Sequence, residues 1–117
     1  MTESAKALQA FFSRFLPAYT DGLVPPDAEL PYITYSPVFN DWRNTGTMSA
    51  IIWYPGQSVL PAMQKADEIG RAVNTGKTIS IPGGYVHLKK GAPWAQPYNV
   101  GPDTAGVYLN FGIETFE

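Results

Sequence analysis

The residue best suited to chemistry in this sequence is His87, the one histidine among 117 residues. A general base or a metal ligand needs partners, and the chain has no cysteine and no second histidine to complete a typical zinc site. The surrounding residues alternate as in a strand, which places His87 on the same face as Tyr85. We therefore predict a strand residue that packs beside Tyr85 or forms a local hydrogen bond.

Acidic side chains are the next candidates, because two neighbouring carboxylates can support glycoside or phosphoester chemistry. Asp67 and Glu68 are adjacent in a helical pattern, so they point about 100° apart and are poorly placed to act together. Two other carboxylate pairs are conceivable between acids in predicted loops: Asp27 with Glu29, and Asp41 with Asp103. Nothing in their spacing requires the members of either pair to meet. The residues therefore show no visible catalytic centre and no typical metal site.

The triplet Gly76-Lys77-Thr78 matches the end of a phosphate-binding loop. That motif requires a glycine five residues before Gly76, where this chain has Arg71. A predicted helix precedes the triplet and a predicted strand follows it, so no helix N-terminus faces a phosphate. We interpret the triplet as a helix end followed by a solvated lysine.

Two amphipathic helices are predicted by the spacing of apolar residues. The first spans 3–16, with Thr2 or Ser4 as its cap, and ends before a proline. The second spans 58–73, is capped by its first residue and stops at Gly76. One face of each helix is apolar and the other is polar, which is typical of helices packed on a sheet.

Five segments have the alternation or the β-branched and aromatic content of strands: 31–35, 47–54, 78–81, 85–89 and 106–116. Residues 18–30 are predicted as an ordered loop, residues 40–46 as a turn, and residues 91–102 as an irregular arm or a short edge strand. This order predicts an α+β fold, with a mostly antiparallel sheet of five to six strands and both helices on one face.

Composition limits the class of protein. At 117 residues and 44% hydrophobic content, the chain is expected to form a single domain over 1–117. Its net charge of −2 argues against nucleic-acid binding through many phosphate contacts. The sequence has neither the pattern of a signal peptide nor an apolar run long enough to span a membrane, so we expect a cytoplasmic protein with no membrane partner.

Large aromatic side chains occur in turn-rich sequence at Trp42, Trp94 and Tyr98. Such residues are enriched at protein interfaces, where one end of the ring can stay hydrated. They can equally cover the ends of a sheet. Both interpretations remain open from the sequence.

Six short motifs follow one another from the first predicted strand onward. They are Pro31-Tyr32-Ile33-Thr34-Tyr35, Trp53-Tyr54, Lys65-Ala66-Asp67-Glu68-Ile69, Ile81-Pro82-Gly83-Gly84-Tyr85, Lys90-Gly91-Ala92-Pro93 and Tyr108-Leu109-Asn110-Phe111. In order, spacing and total length, the chain resembles the tail terminator (tail completion) proteins of long-tailed bacteriophages. The resemblance covers nearly the whole sequence.

This resemblance implies a small α+β domain that assembles as a ring, usually a hexamer, on the end of a finished tail tube. Such a ring stops tube polymerisation and presents the surface that joins the head. The resemblance therefore implies a protein that is not an enzyme and that binds no cofactor, which agrees with the lack of a visible catalytic or metal site among the residues. The implied partners are further copies of the chain, the tail tube protein and a head-completion or connector protein. The implied location is the head-proximal end of the virion tail, after assembly in the cytoplasm of the host bacterium.

A closed ring with heterologous contacts requires two different complementary patches on each subunit. The exposed face of the 58–73 helix and the 91–102 arm are the predicted patches, and substitutions at Trp94 or Arg71 are expected to impair assembly more than folding. The candidate interface residues are Trp42, Arg43, Gln64, Lys65, Glu68, Arg71, Trp94 and Tyr98. Two alternatives stay open: a head-completion or minor capsid protein, and a small ligand-binding or enzymatic α+β domain.

Overall fold

The computed structural model describes residues 2–36 and 43–116. This part of the chain forms two helices and six strands. The helices are α1 (Glu3–Ser13) and α2 (Leu60–Val73), and the strands are β1 (Ala18–Thr20), β2 (Tyr32–Tyr35), β3 (Arg43–Pro55), β4 (Lys77–Ile81), β5 (Gly84–Gly101) and β6 (Thr104–Phe116). The strands form one sheet in the order β1-β2-β3-β6-β5-β4, antiparallel except where β1 meets β2. The predicted α+β fold is confirmed.

The middle of the sheet is the long pair β3 and β6. Their residues pair along the full length of both strands, from Arg43 opposite Phe116 to Pro55 opposite Thr104. Alternation along β6 buries one set of side chains completely or almost completely: Val107, Leu109, Phe111 and Ile113. These residues face the helices and form the floor of the core.

Both helices cover the same face of the sheet, as predicted. Phe12 of α1 is fully buried, with its ring stacked 5.0 Å from the ring of Tyr35 and edge-on at 5.6 Å to Phe111. The helix α2 adds a fully buried stripe to the same core: Ala62, Ala66, Ile69 and Val73. The opposite face of the sheet carries no helix of the described chain.

The helix ends follow local hydrogen bonding. The Thr2 hydroxyl accepts a hydrogen bond from the backbone N–H of Ala5 at 3.1 Å, so Thr2 is the cap of α1. The helix ends at Ser13, three residues earlier than predicted. The chain continues as a tighter turn, in which the Phe15 N–H donates to the carbonyl of Phe12 at 3.1 Å.

The second helix begins at Leu60, whose N–H donates to the Ser58 hydroxyl at 3.2 Å. Ser58 therefore satisfies one of the free donors of the first turn from just outside the helix. The helix stops before Asn74, which has a φ of 53°. The stop predicted at Gly76 is thus two residues late, because asparagine also tolerates a positive φ at a helix end.

The irregular arm predicted at 91–102 is wrong, because these residues continue β5 and pair with β6. Residues 91–94 form a bulge opposite Asn110, whose side-chain amide donates to the carbonyl of Pro93 at 2.9 Å. Pro97 fits because β4 is short, so this part of β5 is an edge and a missing N–H costs no hydrogen bond there. The alternative prediction, a short edge strand within 91–102, places a strand in the right position. It misses that this strand is the second half of β5, which begins at Gly84.

Two further strand segments lie where no strand is predicted. Strand β1 falls inside the predicted loop 18–30 and pairs in parallel with β2, with Ala18 opposite Ile33. Strand β3 begins at Arg43, within the predicted turn 40–46. Both segments are strands because a distant partner strand supplies their hydrogen bonds, which local composition does not reveal.

Because Tyr35 is buried under α1, we expect the free energy of unfolding to fall at alkaline pH. Burial raises the pKa of Tyr35 above its ordinary value of 10.0, and a hydrogen bond with Thr20 offsets part of this rise. Because the folded pKa exceeds the unfolded one, the stabilisation is fully present below about pH 10 and is lost as the pH rises through the folded pKa. We expect the free energy of unfolding, measured in urea, to fall more steeply above about pH 10 in the wild type than in Tyr35→Phe. Parallel pH profiles would assign the loss to other groups.

Candidate interaction surfaces

The histidine is held by a local contact. Its Nδ1 atom lies 2.8 Å from the hydroxyl of Thr78, and its ring packs against Gly76, where an added Cβ would approach the ring to 2.9 Å. Glu114 lies opposite His87 in β6, but its carboxylate accepts a hydrogen bond from the Tyr85 hydroxyl. The predicted local hydrogen bond of His87 is confirmed, and it links the two strands of the β4–β5 hairpin.

Three of the four acids considered for a carboxylate pair sit in exposed connections. Asp27 and Glu29 lie in the loop between β1 and β2, Asp103 lies in the turn between β5 and β6, and Asp41 is outside the described residues. Within residues 2–36 and 43–116, no group of three His, Asp or Glu side chains is placed to hold a metal ion. The described chain does present three surface features: the polar face of α2, a groove between α1 and β4, and the loop after β1.

The first surface is the polar face of α2, where four of the predicted interface residues lie. The ammonium of Lys65 is 2.8 Å from a carboxylate oxygen of Glu68, with the two side chains 19% and 47% exposed. A pair at this spacing on a helix surface adds only about 0.2–0.5 kcal/mol to stability. Gln64 and Arg71 are exposed on the same helix, so this face is accessible to a neighbour.

Trp94, also predicted at the interface, packs inside the described chain. Its ring meets Phe111 edge-on at 5.0 Å, and the ammonium of Lys90 lies 5.9 Å from its centre. An added Cβ on Gly70 of α2 would lie 3.2 Å from its indole nitrogen. Of the two interpretations of this aromatic residue, the contacts support packing against the sheet. Gly70 is a residue whose role the sequence analysis missed, although a glycine on a buried helical stripe signals a close approach.

Of the three remaining predicted interface residues, only Tyr98 has a described side chain. Tyr98 is 42% exposed and meets Trp53 edge-on at 5.8 Å, on the face opposite the helices. The indole N–H of Trp53 donates to the hydroxyl of Thr34 at 2.8 Å. Trp42 lies outside the described residues, and Arg43 is described only as the first residue of β3. The structure therefore does not gather the eight candidates into one patch.

A groove of about 610 Å³ runs between α1 and the edge strand β4. We call it the basic groove, because three cations line it against one acid. Its apolar lining comes from Ala7, Ala10, Phe11, Ile79, Ile81 and Pro82, and its charged lining from Glu3, Lys6, Arg14 and Lys77. The Lys6 ammonium lies 3.3 Å from a Glu3 carboxylate oxygen, so Arg14 and Lys77 supply the remaining positive charge.

The loop after β1, residues 21–30, has the opposite character, and we call it the acidic loop. It carries three acids and no lysine or arginine: Asp21, Asp27 and Glu29. Leu23 within it is 72% exposed, more than the other large hydrophobic residues found exposed in the described chain. The loop is held by backbone bonds, including Leu23 N–H to the Thr20 carbonyl at 2.9 Å and Ala28 N–H to the Pro25 carbonyl at 3.0 Å.

Sequence reasoning missed both the basic groove and the part that Leu23 plays in the acidic loop. The groove joins cations that are more than 60 positions apart in the chain, on α1 and on β4, so no local motif marks it. The signal available in the sequence for the loop was its charge, since residues 21–30 hold three acids and no lysine or arginine.

Comparisons with protein-family models, with curated proteins and with solved structures find no match to this chain. In the part of the chain that the structure describes, no helix has both the length and the apolar character needed to cross a membrane. The case for a function rests on the residues, the fold and the surfaces described above.

Proposed function

We propose that this protein is a structural component of a bacteriophage virion that caps the tail tube as a ring of identical subunits. In that position it ends tail polymerisation and forms the surface to which the head is joined. The observation that carries the proposal is the ordered series of motifs from Pro31 to Phe111, which resembles tail terminator proteins in order and spacing. The proposed partners are other copies of the chain, the tail tube protein and a head connector.

The fold is compatible with this role. The six motifs lie on successive parts of one α+β domain, namely β2, the end of β3, α2, the β4–β5 turn, the β5 bulge and β6. The motifs are therefore distributed over most of the described fold. The exposed polar face of α2 and the basic groove lie on different elements, which suits a subunit that needs two dissimilar contact patches.

A small ligand-binding protein is the second candidate function, and the observation that favours it is the basic groove. Its volume of about 610 Å³ lies within the usual range for small-molecule sites. The groove is open and lies along a strand edge, which suits an extended protein segment better than an enclosed small molecule.

Electron microscopy of tails made without this protein tests the proposal. We expect tails of abnormal length, because nothing stops the addition of tube subunits, and wild-type protein supplied in trans should restore normal virions. The Arg71→Glu variant should restore them poorly, since it reverses a charge on the exposed face of α2. Tails of normal length joined to heads would overturn the proposal. Tails of normal length that remain free beside filled heads would favour a head-completion protein instead.

A further inference from the structure

The two edges of the sheet differ in charge. The edge formed by β4 borders the basic groove, with Lys6, Arg14 and Lys77 against the single acid Glu3. The edge formed by β1 leads directly into the acidic loop, which has three acids and no basic residue. Opposite charges on two different surfaces of one molecule favour a contact in which the basic groove of one copy faces the acidic loop of another.

These two edges lie at different levels along the strands of the sheet, and α1 packs between them, in contact with both β1 and β4. Strand β2, with β1 beside it, pairs with residues 50–53 of β3. Strand β4 pairs with the start of β5, which pairs with the end of β6, and the end of β6 pairs with residues 43–46 of β3. Strand β4 therefore lies level with the opposite end of β3. The acidic loop does not line the basic groove of its own chain, so the groove is open to a second molecule.

The groove has the features of a docking site for a protruding loop. Strand β4 is an edge strand, so the outer side of its backbone offers hydrogen-bonding groups to an added strand or loop. The apolar lining from Ala10, Phe11 and Ile79 suits an inserted aliphatic side chain. Leu23 of the acidic loop is such a side chain, and it is 72% exposed in the single chain.

We propose that the basic groove of one copy binds the acidic loop of a second copy, with Leu23 inserted against Ala10 and Phe11 and the loop acids facing Arg14 and Lys77. This inference deepens the proposed function and rests on it, since it assigns one contact between subunits of the ring and gives the basic groove its partner. The contact is heterologous, because the two patches differ, and repeated contacts close into a ring when the rotation between subunits allows it.

The absence of cysteine from the sequence permits a direct test by disulfide formation between two single variants. Leu23→Cys protein is mixed with Ala10→Cys protein under mild oxidation, and the mixed dimer is measured by mass spectrometry. Both positions are exposed in the single chain, so both variants should fold. The matched control is Leu23→Cys mixed with Gln57→Cys, which places an exposed thiol in the loop before α2, away from both the groove and the polar face of α2.

We expect roughly tenfold more mixed disulfide from Leu23→Cys with Ala10→Cys than from the control mixture, because docking raises the local concentration of the two thiols. Adding Arg14→Glu to the Ala10→Cys protein should lower the yield, and so should high salt. Equal yields from the two mixtures, or no effect of Arg14→Glu, would overturn the inference.

The outcomes separate this inference from the proposed function. Abnormal tails without the protein, combined with no preference for the groove thiol, would retain the terminator role and reject this contact. A strong preference for the groove thiol, combined with normal tails in the absence of the protein, would retain the contact and reject the terminator role.

Discussion

The Phe12→Ala variant should unfold with a free energy about 3–5 kcal/mol below that of the wild type, the usual cost of emptying a buried aromatic site. Phe12 is fully buried, and its ring contacts Phe11, Tyr35 and Phe111, so truncation removes contacts with both α1 and two strands. Single domains typically have free energies of unfolding of about 5–15 kcal/mol, so the variant would keep only a small part of its stability if the wild type lies at the lower end of this range. Urea unfolding followed by circular dichroism measures the change.

The matched control is Phe15→Ala, which makes the same chemical change at a half-buried position of the chain just after α1. Phe15 contacts Phe11 edge-on at 5.4 Å and no strand aromatic in the described chain. We expect a clearly smaller loss for Phe15→Ala. If the two variants lose the same stability, then Phe12 does not join α1 to the sheet in the way the structure indicates.

The Trp94→Ala variant is expected to lower the free energy of unfolding by about 3 kcal/mol, at the lower end of the range for tryptophan truncation. The ring lies between Phe111 and Gly70, so its removal leaves a gap between the sheet and α2 that a helix cannot easily close. Assembly should weaken in parallel, because the folded subunit becomes scarcer. This expectation replaces the prediction from sequence that Trp94 serves assembly more than folding.

Tyr98→Ala provides the comparison, since Tyr98 is 42% exposed on the opposite face of the sheet. We expect a loss of stability below about 1.5 kcal/mol for this variant, as for most substitutions outside the core. Thermal unfolding and native mass spectrometry of both variants separate folding from assembly. Unchanged unfolding of Trp94→Ala together with lost assembly would return Trp94 to the interface.

Much of the fold follows from periodicity in the sequence. The buried stripe of α2 and the strict alternation of 106–116 each specify a face, and two apolar helices on one strand-rich chain leave few arrangements other than helices on a sheet. Both helices and the last strand are found within three residues of their predicted bounds. These features are encoded locally, which is why a single sequence reveals them.

The features that the sequence did not reveal depend on distant partners. Strand β1 is three residues long and exists because β2 pairs with it, while Pro93 is accommodated in β5 because the amide of Asn110, 17 positions away, holds its carbonyl. The same holds for the surfaces. Polar residues on α2 were recognised from helical spacing, but the basic groove needs α1 and β4 side by side. The strand that contains Trp94 was concealed by its turn-rich sequence.

The central position of β6 has a consequence for how the protein is made. Until Thr104–Phe116 has been synthesised, β3 and β5 share no neighbour, and the chain can form only the β1-β2-β3 and β4-β5 fragments of the sheet. The two unpaired inner edges are then exposed on the ribosome, where they can pair with other chains. Joining strands so far apart in sequence is also slow. The sheet is thus completed only when β6 inserts between β3 and β5.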